Sequence, residues 1–289
     1  MTILESIRRA LPKYDYLYLG DNARAPYGTH SFDVIYRYTL QAVQYLLEHD
    51  CALVILACNT ASAKALRTIQ QHDLPLINEK MRNNRSNECE IRKCENVKMV
   101  NVLGVIRPTV EAVPSITKTG HVGILATPAT VSSESYVLEL EKINHKSLVV
   151  AQQACPMWVP LIEAGEHNSD GADYFVGKYL NEILAKDPQI DTLVLGCTHY
   201  PLLLPKIEQW LHVKMRKCGN DQTVNIIAQG ELVAGSLADY LIRHPEYSSQ
   251  LSLNGTCTYL TTENADRFAQ SASLFLNSPI KAESIQLGN

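Results

Sequence analysis

The sequence predicts an α/β fold of two similar lobes, each with a parallel-rich sheet flanked by helices, with an active site in the cleft between them. Three observations carry that expectation. Short apolar runs rich in Val, Ile and Leu alternate with longer amphipathic stretches, and buried strands joined by helices form parallel sheets covered on both faces. One layout occurs twice, in LVILACNTAS at 53–62 and in LVLGCTHYPL at 193–202: an apolar strand, a small residue, a cysteine, polar residues, then the start of a helix. Ligands of such sheets bind beyond the carboxyl ends of the strands, which is where both cysteines fall.

Taken in chain order, strands are expected at 15–19, 53–56, 102–106, 122–125, 147–150, 192–195 and 224–227. Helices are expected at 31–49, 61–71, 172–185 and 231–243. The chain crosses to the second lobe near Pro108 and returns near Asp221, before the run VNII. The first lobe is then discontinuous, 1–107 plus 221–289, and the second lobe is 108–220. The stretch 78–98, NEKMRNNRSNECEIRKCENVK, is charged and Asn-rich without a clean period. It reads as a surface insertion.

Composition narrows the function classes. Of 289 residues, 46% are hydrophobic and 19% charged, which supports a packed core and excludes a disordered chain. A net charge of −4 argues against a nucleic-acid partner. No apolar run reaches membrane-spanning length, so no membrane partner is expected. The start, MTILESIRRALPKYD, lacks a signal-peptide layout, which makes the cytoplasm the expected location. The eight cysteines are not spaced as a disulfide scaffold or a zinc site, so reduced thiols and no metal are expected.

Two of those thiols have a setting for chemistry. Cys58 follows a buried strand and precedes a helix, where amides and the helix dipole lower a thiol's pKa. Asn59, Thr60 and the free amides of the helix start offer donors for a carboxylate. Cys197 repeats the setting, with Thr198, His199 and Tyr200 following it and Pro201 placing the next helix start. His199 can tune the thiol or hold a proton near neutral pH. Cys51 and Cys257 read instead as small buried hydrophobes. A pair of symmetry-related acid/base groups suits a reaction that is itself symmetric. Racemisation is one: a base removes the Cα proton from one face and an acid returns a proton to the other.

The segments ARAPYGTHS (23–31), ILACNTASAKALR (55–67), ACPMWVPLIEAGE (154–166) and LVLGCTHYPLL (193–203) resemble the signature segments of glutamate racemases, in the family's order and at roughly its spacing. The two cysteine motifs belong to the wider aspartate/glutamate racemase group, and the Ala-Pro-Tyr-Gly segment narrows it to the glutamate branch. The resemblance implies cofactor-independent interconversion of L- and D-glutamate, with glutamate as small-molecule substrate, no organic cofactor and D-glutamate supplied for peptidoglycan. A homodimer is compatible with it. It implies that Cys58 acts on D-glutamate and Cys197 on L-glutamate. Tyr27, Gly28, Asn59 and Thr60 would bind substrate on one lobe, and Thr198 and His199 on the other. Glu163 matches a carboxylate that assists the second thiol with His199, and Glu166 is its nearby rival. Thr127 and Thr130 are further candidates for the substrate carboxylates.

One departure stands out. The family opens with a strand and an Asp-Ser-Gly-x-Gly-Gly loop, and this chain begins at what resembles the following helix. An impaired racemase is therefore expected of the chain as given. The alternatives are an aspartate or related amino-acid racemase, and a homologue that only binds an acidic amino acid.

Overall fold

The computed structural model describes residues 1–88, 99–143, 148–217, 223–276 and 278–288. Nine strands lie among them: β1 Tyr16–Gly20, β2 Leu53–Leu56, β3 Asn101–Gly104, β4 His121–Ala126, β5 Val149–Ala154, β6 Thr192–Gly196, β7 Asn225–Ile227, β8 Cys257–Thr261 and β9 Glu283–Ser284. Every recorded pairing is parallel. One sheet has the order β5-β4-β6-β7, another β1-β8-β9, and β2 pairs with β3. No ladder joins β1 to β2 among the described residues.

The strand at 53–56 lies where its apolar run placed it, and the other expected strands shift by one to a few residues. β8 and β9 were not expected. The run CTYLT mixes polar and apolar residues, and β9 has two exposed residues, so neither carries a hydrophobic signal.

The four-stranded sheet is covered on both sides. Val110, Val113, Tyr136 and Leu140 pack on one face. Trp158, Leu180, Ile183 and Tyr200 belong to the cluster on the other. β4 and β6 are almost wholly buried along their length, as central parallel strands must be. Around β2 and β3, Val43, Ile69 and Leu74 pack with Val54 and Val102. The helix Thr2–Ala10 lies against the helix Gln229–Arg243 through Ile3, Ile7, Val233 and Leu237.

Three expectations are corrected. β7 pairs with β6, so the run VNII completes the four-stranded sheet and the chain leaves it after Ile227, not near Asp221. The apolar run alone could not say which sheet edge it would join. Second, 78–88 is not an irregular insertion: the helix Leu74–Glu88 runs through it. Ile77 and Met81 pack on the core. Asn78 pairs both ways with Val100, accepting from its N–H at 3.0 Å and donating to its carbonyl at 3.2 Å. The remainder of that segment, with Cys89 and Cys94, lies outside the described residues. Third, the helix expected at 61–71 is broken into Asn59–Lys64, Leu66–Thr68 and a π-helical stretch Ile69–Asp73. Pro75 follows two residues after that stretch ends; it lacks an N–H and crowds the carbonyl four residues back, and the widened turn accommodates both.

At the amino end of the four-stranded sheet, Asp191 anchors the loop before β4. Its carboxylate accepts from Thr117 Oγ1 at 2.6 Å, Lys118 N at 2.7 Å, Thr119 N at 2.8 Å and Thr192 Oγ1 at 2.9 Å. Burial works to raise its pKa, but these donors outweigh it and hold the group at about 2. The depressed value means that this stabilisation is fully present above the ordinary carboxylate range and is lost as pH falls through about 2. Asp191→Asn is expected to cost on the order of 2 kcal/mol at pH 7. Urea midpoints of the two proteins should therefore differ clearly at pH 7 and converge in strong acid. Coincident midpoints at pH 7 would show that the anchor contributes nothing.

Candidate active site

The residues singled out by sequence gather at the carboxyl ends of the parallel strands, as expected for such sheets. β1 leads into the loop with Tyr27 and Gly28, β2 into Cys58, β4 into Thr127 and Thr130, β5 toward Glu163, and β6 into Cys197.

Cys58 is the N-cap of the helix Asn59–Lys64, with extended backbone at φ −138° and ψ 122°. Its carbonyl accepts from Ser62 N at 2.9 Å. Burial is the largest influence on its thiol and pushes the pKa up, and the charge of Cys197 adds to this. The amides of Ala61 and Thr60 and the Thr60 hydroxyl pull the other way without prevailing. The lowered value expected from the helix start is thus corrected: the amides are present, but removal of water from the thiol outweighs them.

Cys197 is buried at the end of β6. No α-helix starts beside it. A 3₁₀ turn, Tyr200–Leu203, intervenes before the helix Leu204–Lys217. Pro205 is the reason: proline belongs in a first helical turn, so the α-helix begins at its neighbour and tighter bonding spans the gap. Tyr200 N donates to Cys197 O at 3.1 Å within that turn.

His199 links Cys197 to a carboxylate. Its Nδ1 lies 3.8 Å from Cys197 Sγ, and its Nε2 lies 2.5 Å from Glu163 Oε1. Burial disfavours the charged ring, but the bonds to Cys197 and Glu163 prevail and raise its pKa to about 9. The hydrogen bond from His199 in turn lowers the pKa of Glu163, against burial. The ring of Phe275 meets His199 edge-on at 5.6 Å. Glu163 ends the helix Trp158–Glu163, and it, not Glu166, reaches the imidazole.

Two residues after Cys58, Thr60 joins a cluster of buried hydroxyls. Thr60 Oγ1 is 3.0 Å from Thr127 Oγ1 and 3.3 Å from Thr130 Oγ1, and the latter two are 3.0 Å apart. Thr127 caps the helix Pro128–Ser132. Gly28 presses on the same place: a Cβ there would come within 3.0 Å of Thr127 Cβ, so only glycine lets the loop lie so close. Thr198 offers its carbonyl to Thr2 Oγ1 at 2.8 Å.

Asn59 differs from expectation. Both ends of its side-chain amide are taken: Nδ2 donates to Gln229 Oε1 at 2.5 Å, and Oδ1 accepts from Tyr136 OH at 2.7 Å. Gln229 Nε2 also lies 2.8 Å from Thr109 Oγ1 and 3.3 Å from Val105 O. Sequence reasoning missed Tyr136 and Gln229. Their partners lie 77 and 170 residues from them in sequence, and neither carries a local signal of its role. It also missed Asp21, which accepts from the Tyr27 hydroxyl, from Arg24 Nε at 2.9 Å and from Thr262 Oγ1 at 2.9 Å. The acid six residues before Tyr27 was the available signal.

No group of three or more His, Cys, Asp or Glu suited to a metal occurs among the described residues. No helix among them is long and apolar enough to cross a membrane.

Comparison with known proteins bears on this geometry. A family described as Asp/Glu/Hydantoin racemase matches residues 92–217. A glutamate racemase of Ruegeria sp. (strain TM1040) is 36% identical over 98% of this chain and 95% of its own length. Among solved structures, a glutamate racemase isoform of Bacillus anthracis aligns over 99% of this chain and 93% of its own, with TM-score 0.79 and 27% identity. That of Francisella tularensis subsp. tularensis SCHU S4, solved with D-glutamate, gives TM-score 0.78, 26% identity and the same coverages.

Proposed function

The chain belongs to the glutamate racemase family, and we propose that it interconverts L- and D-glutamate with Cys58 and Cys197 as paired acid and base. The observation that carries this reading is the pair of strand-end thiols. They come from different sheets and lie close enough for the charge of one to raise the pKa of the other.

The division of labour follows from the surroundings. At neutral pH His199 is an imidazolium, held charged against burial by Cys197 and Glu163. Its Nδ1 faces Cys197 Sγ, where it can share a proton with that sulfur. Cys58, its pKa raised by burial, rests as a thiol and so as a proton donor. In the L to D direction Cys197 takes the Cα proton and Cys58 delivers one to the opposite face. The reverse reaction starts from the opposite protonation.

The Cα proton of an amino acid is only weakly acidic, so developing charge on the substrate needs fixed donors in a site without bulk water. The hydroxyls of Thr60, Thr127 and Thr130 and the amides of the two helix starts beside them are the donors assigned to the substrate carboxylates. Tyr27, seated on Asp21, and Gly28 close that side of the site. Thr198 and His199 face the substrate from the other. Asn59 acts through its backbone position next to Cys58. Only protons move, so the scheme calls for no cofactor. The product would supply D-glutamate for peptidoglycan, the general role of the family. We assign the cleft to the junction of two lobes, with crossings near Val105 and after Ile227.

The test is incubation with each glutamate enantiomer in deuterium oxide, following optical rotation and α-deuterium together. Inversion with deuterium in the inverted product is expected from both enantiomers. Exchange with aspartate but not glutamate would move the substrate assignment, and binding without exchange would remove the enzymatic reading.

A further inference from the structure

Tyr136 touches both cysteine-bearing turns. Its side chain is fully buried. Its hydroxyl donates to Asn59 Oδ1 at 2.7 Å, one residue after Cys58. Its ring edge packs on Gly196, one residue before Cys197: a Cβ on that glycine would come within 3.2 Å of Tyr136 Cε2. The same Cβ would lie 3.1 Å from Leu125 O and 3.1 Å from Ala126 Cβ, so the turn before Cys197 is pressed between β4 and the Tyr136 ring.

Gln229 completes the arrangement. Its Oε1 holds Asn59 Nδ2 at 2.5 Å, and its Nε2 lies 3.0 Å from Tyr136 OH and 2.8 Å from Thr109 Oγ1. Thr109 lies on the helix Ile106–Ile116, which follows β3, and Gln229 begins the helix Gln229–Arg243, which follows β7. Both places where the chain passes between the sheets are therefore tied to one buried polar cluster. All its polar atoms have partners within it, and such networks are rigid when satisfied and costly when broken.

We infer that Tyr136, backed by Gln229, is a positioning residue that sets the separation of the two thiols. The inference rests on the two-thiol reading above. A proton relay between opposite faces of one carbon tolerates little error in that separation, because misplacement of about 1 Å costs on the order of a hundredfold in rate. The hydroxyl reaches the Cys58 turn and the ring reaches the Cys197 turn, so the two contributions separate by mutation. Tyr136→Phe keeps the ring on Gly196 and removes one of the two holds on Asn59, leaving Gln229 as the other.

The experiment measures wild type, Tyr136→Phe and Gln229→Met for turnover, and for alkylation of individual cysteines by iodoacetamide, followed by peptide mass. In Tyr136→Phe, kcat is expected to fall about tenfold in both directions with KM within about twofold. The α-deuterium isotope effect should rise chiefly for the enantiomer whose proton Cys58 removes. Alkylation of Cys58 should change several-fold while Cys197 and Cys257 hold their rates. Gln229→Met should reproduce that pattern, and it decides the matter if Tyr136→Phe does not fold. Unchanged kcat and unchanged Cys58 alkylation in a folded variant would overturn the inference. So would equal changes at Cys58, Cys197 and Cys257, the sign of general loosening. A wild type without racemase activity would sink the two-thiol reading itself. The alkylation pattern would still report whether Tyr136 holds the Cys58 turn.

Discussion

Serine at position 58 or 197 is expected to lower racemisation in both directions by about 10²–10⁴-fold, the contribution typical of a placed acid or base. A thiol ionises near pH 8.5, whereas an alcohol does so far outside the working range, so a serine neither takes nor gives the Cα proton readily. The equilibrium between enantiomers is unity, so kcat/KM must fall equally in both directions. The variants differ in what survives. With only Cys197 able to act, Cys58→Ser should still wash deuterium into one enantiomer without inverting it. Cys197→Ser should do so with the other enantiomer. Cys51 and Cys257 supply the controls. Cys51 lies just before β2 and Cys257 opens β8, so both are at the amino ends of strands, away from the cleft, and their serine variants should keep full activity. Polarimetry beside proton NMR in deuterium oxide distinguishes these outcomes. Inversion at the wild-type rate in either Cys58→Ser or Cys197→Ser would sink the two-thiol mechanism.

The two cysteines were legible because their setting is local. Strand, small residue and thiol follow one another in sequence, and the repeat at 53–62 and 193–202 made the likeness visible before any contact was known, although the α-helix start holds only at Cys58. β4 and β6 were legible for a similar reason: buried parallel strands are continuous apolar runs. What could not be read is whatever depends on distant partners. β7 has three residues, and only its pairing with β6 assigns it to a sheet. Asn78 looked like part of a solvated run, yet it holds the backbone of Val100, 22 residues away. Asn59 looked like a ligand donor because it sits beside the Cys58 thiol. It is turned inward because Tyr136 and Gln229, 77 and 170 residues away, satisfy its amide. The pKa of Cys58 was misjudged in sign for the same reason. A helix start is visible in sequence, whereas the depth of burial that outweighs it is a property of the folded chain.

Glu163→Gln is expected to shift the alkaline limb of the pH–rate profile toward acid. In the wild type, the bonds to Cys197 and Glu163 overcome burial and raise His199 to about 9, so the ring loses its proton only as pH rises through that value. Glutamine keeps the length and one acceptor but removes the charge. Burial then meets less opposition, with Cys197 alone still favouring the charged ring, and the His199 pKa falls from about 9 toward its ordinary value near 6.5. Between those values the wild type holds an imidazolium facing Cys197 and the variant holds a neutral ring. Turnover of the variant should therefore be depressed about tenfold or more near pH 8.5 and recover toward wild type below pH 6, where both rings are charged. Rate profiles in both directions, with the His199 ring followed by NMR titration, check the shift and its source together. Glu166→Gln is the matched control, since the imidazole bonds to Glu163, and its profile should overlay the wild type. An alkaline limb that stays in place in Glu163→Gln, or moves equally in Glu166→Gln, would mean that the carboxylate at 163 does not hold the charge on His199.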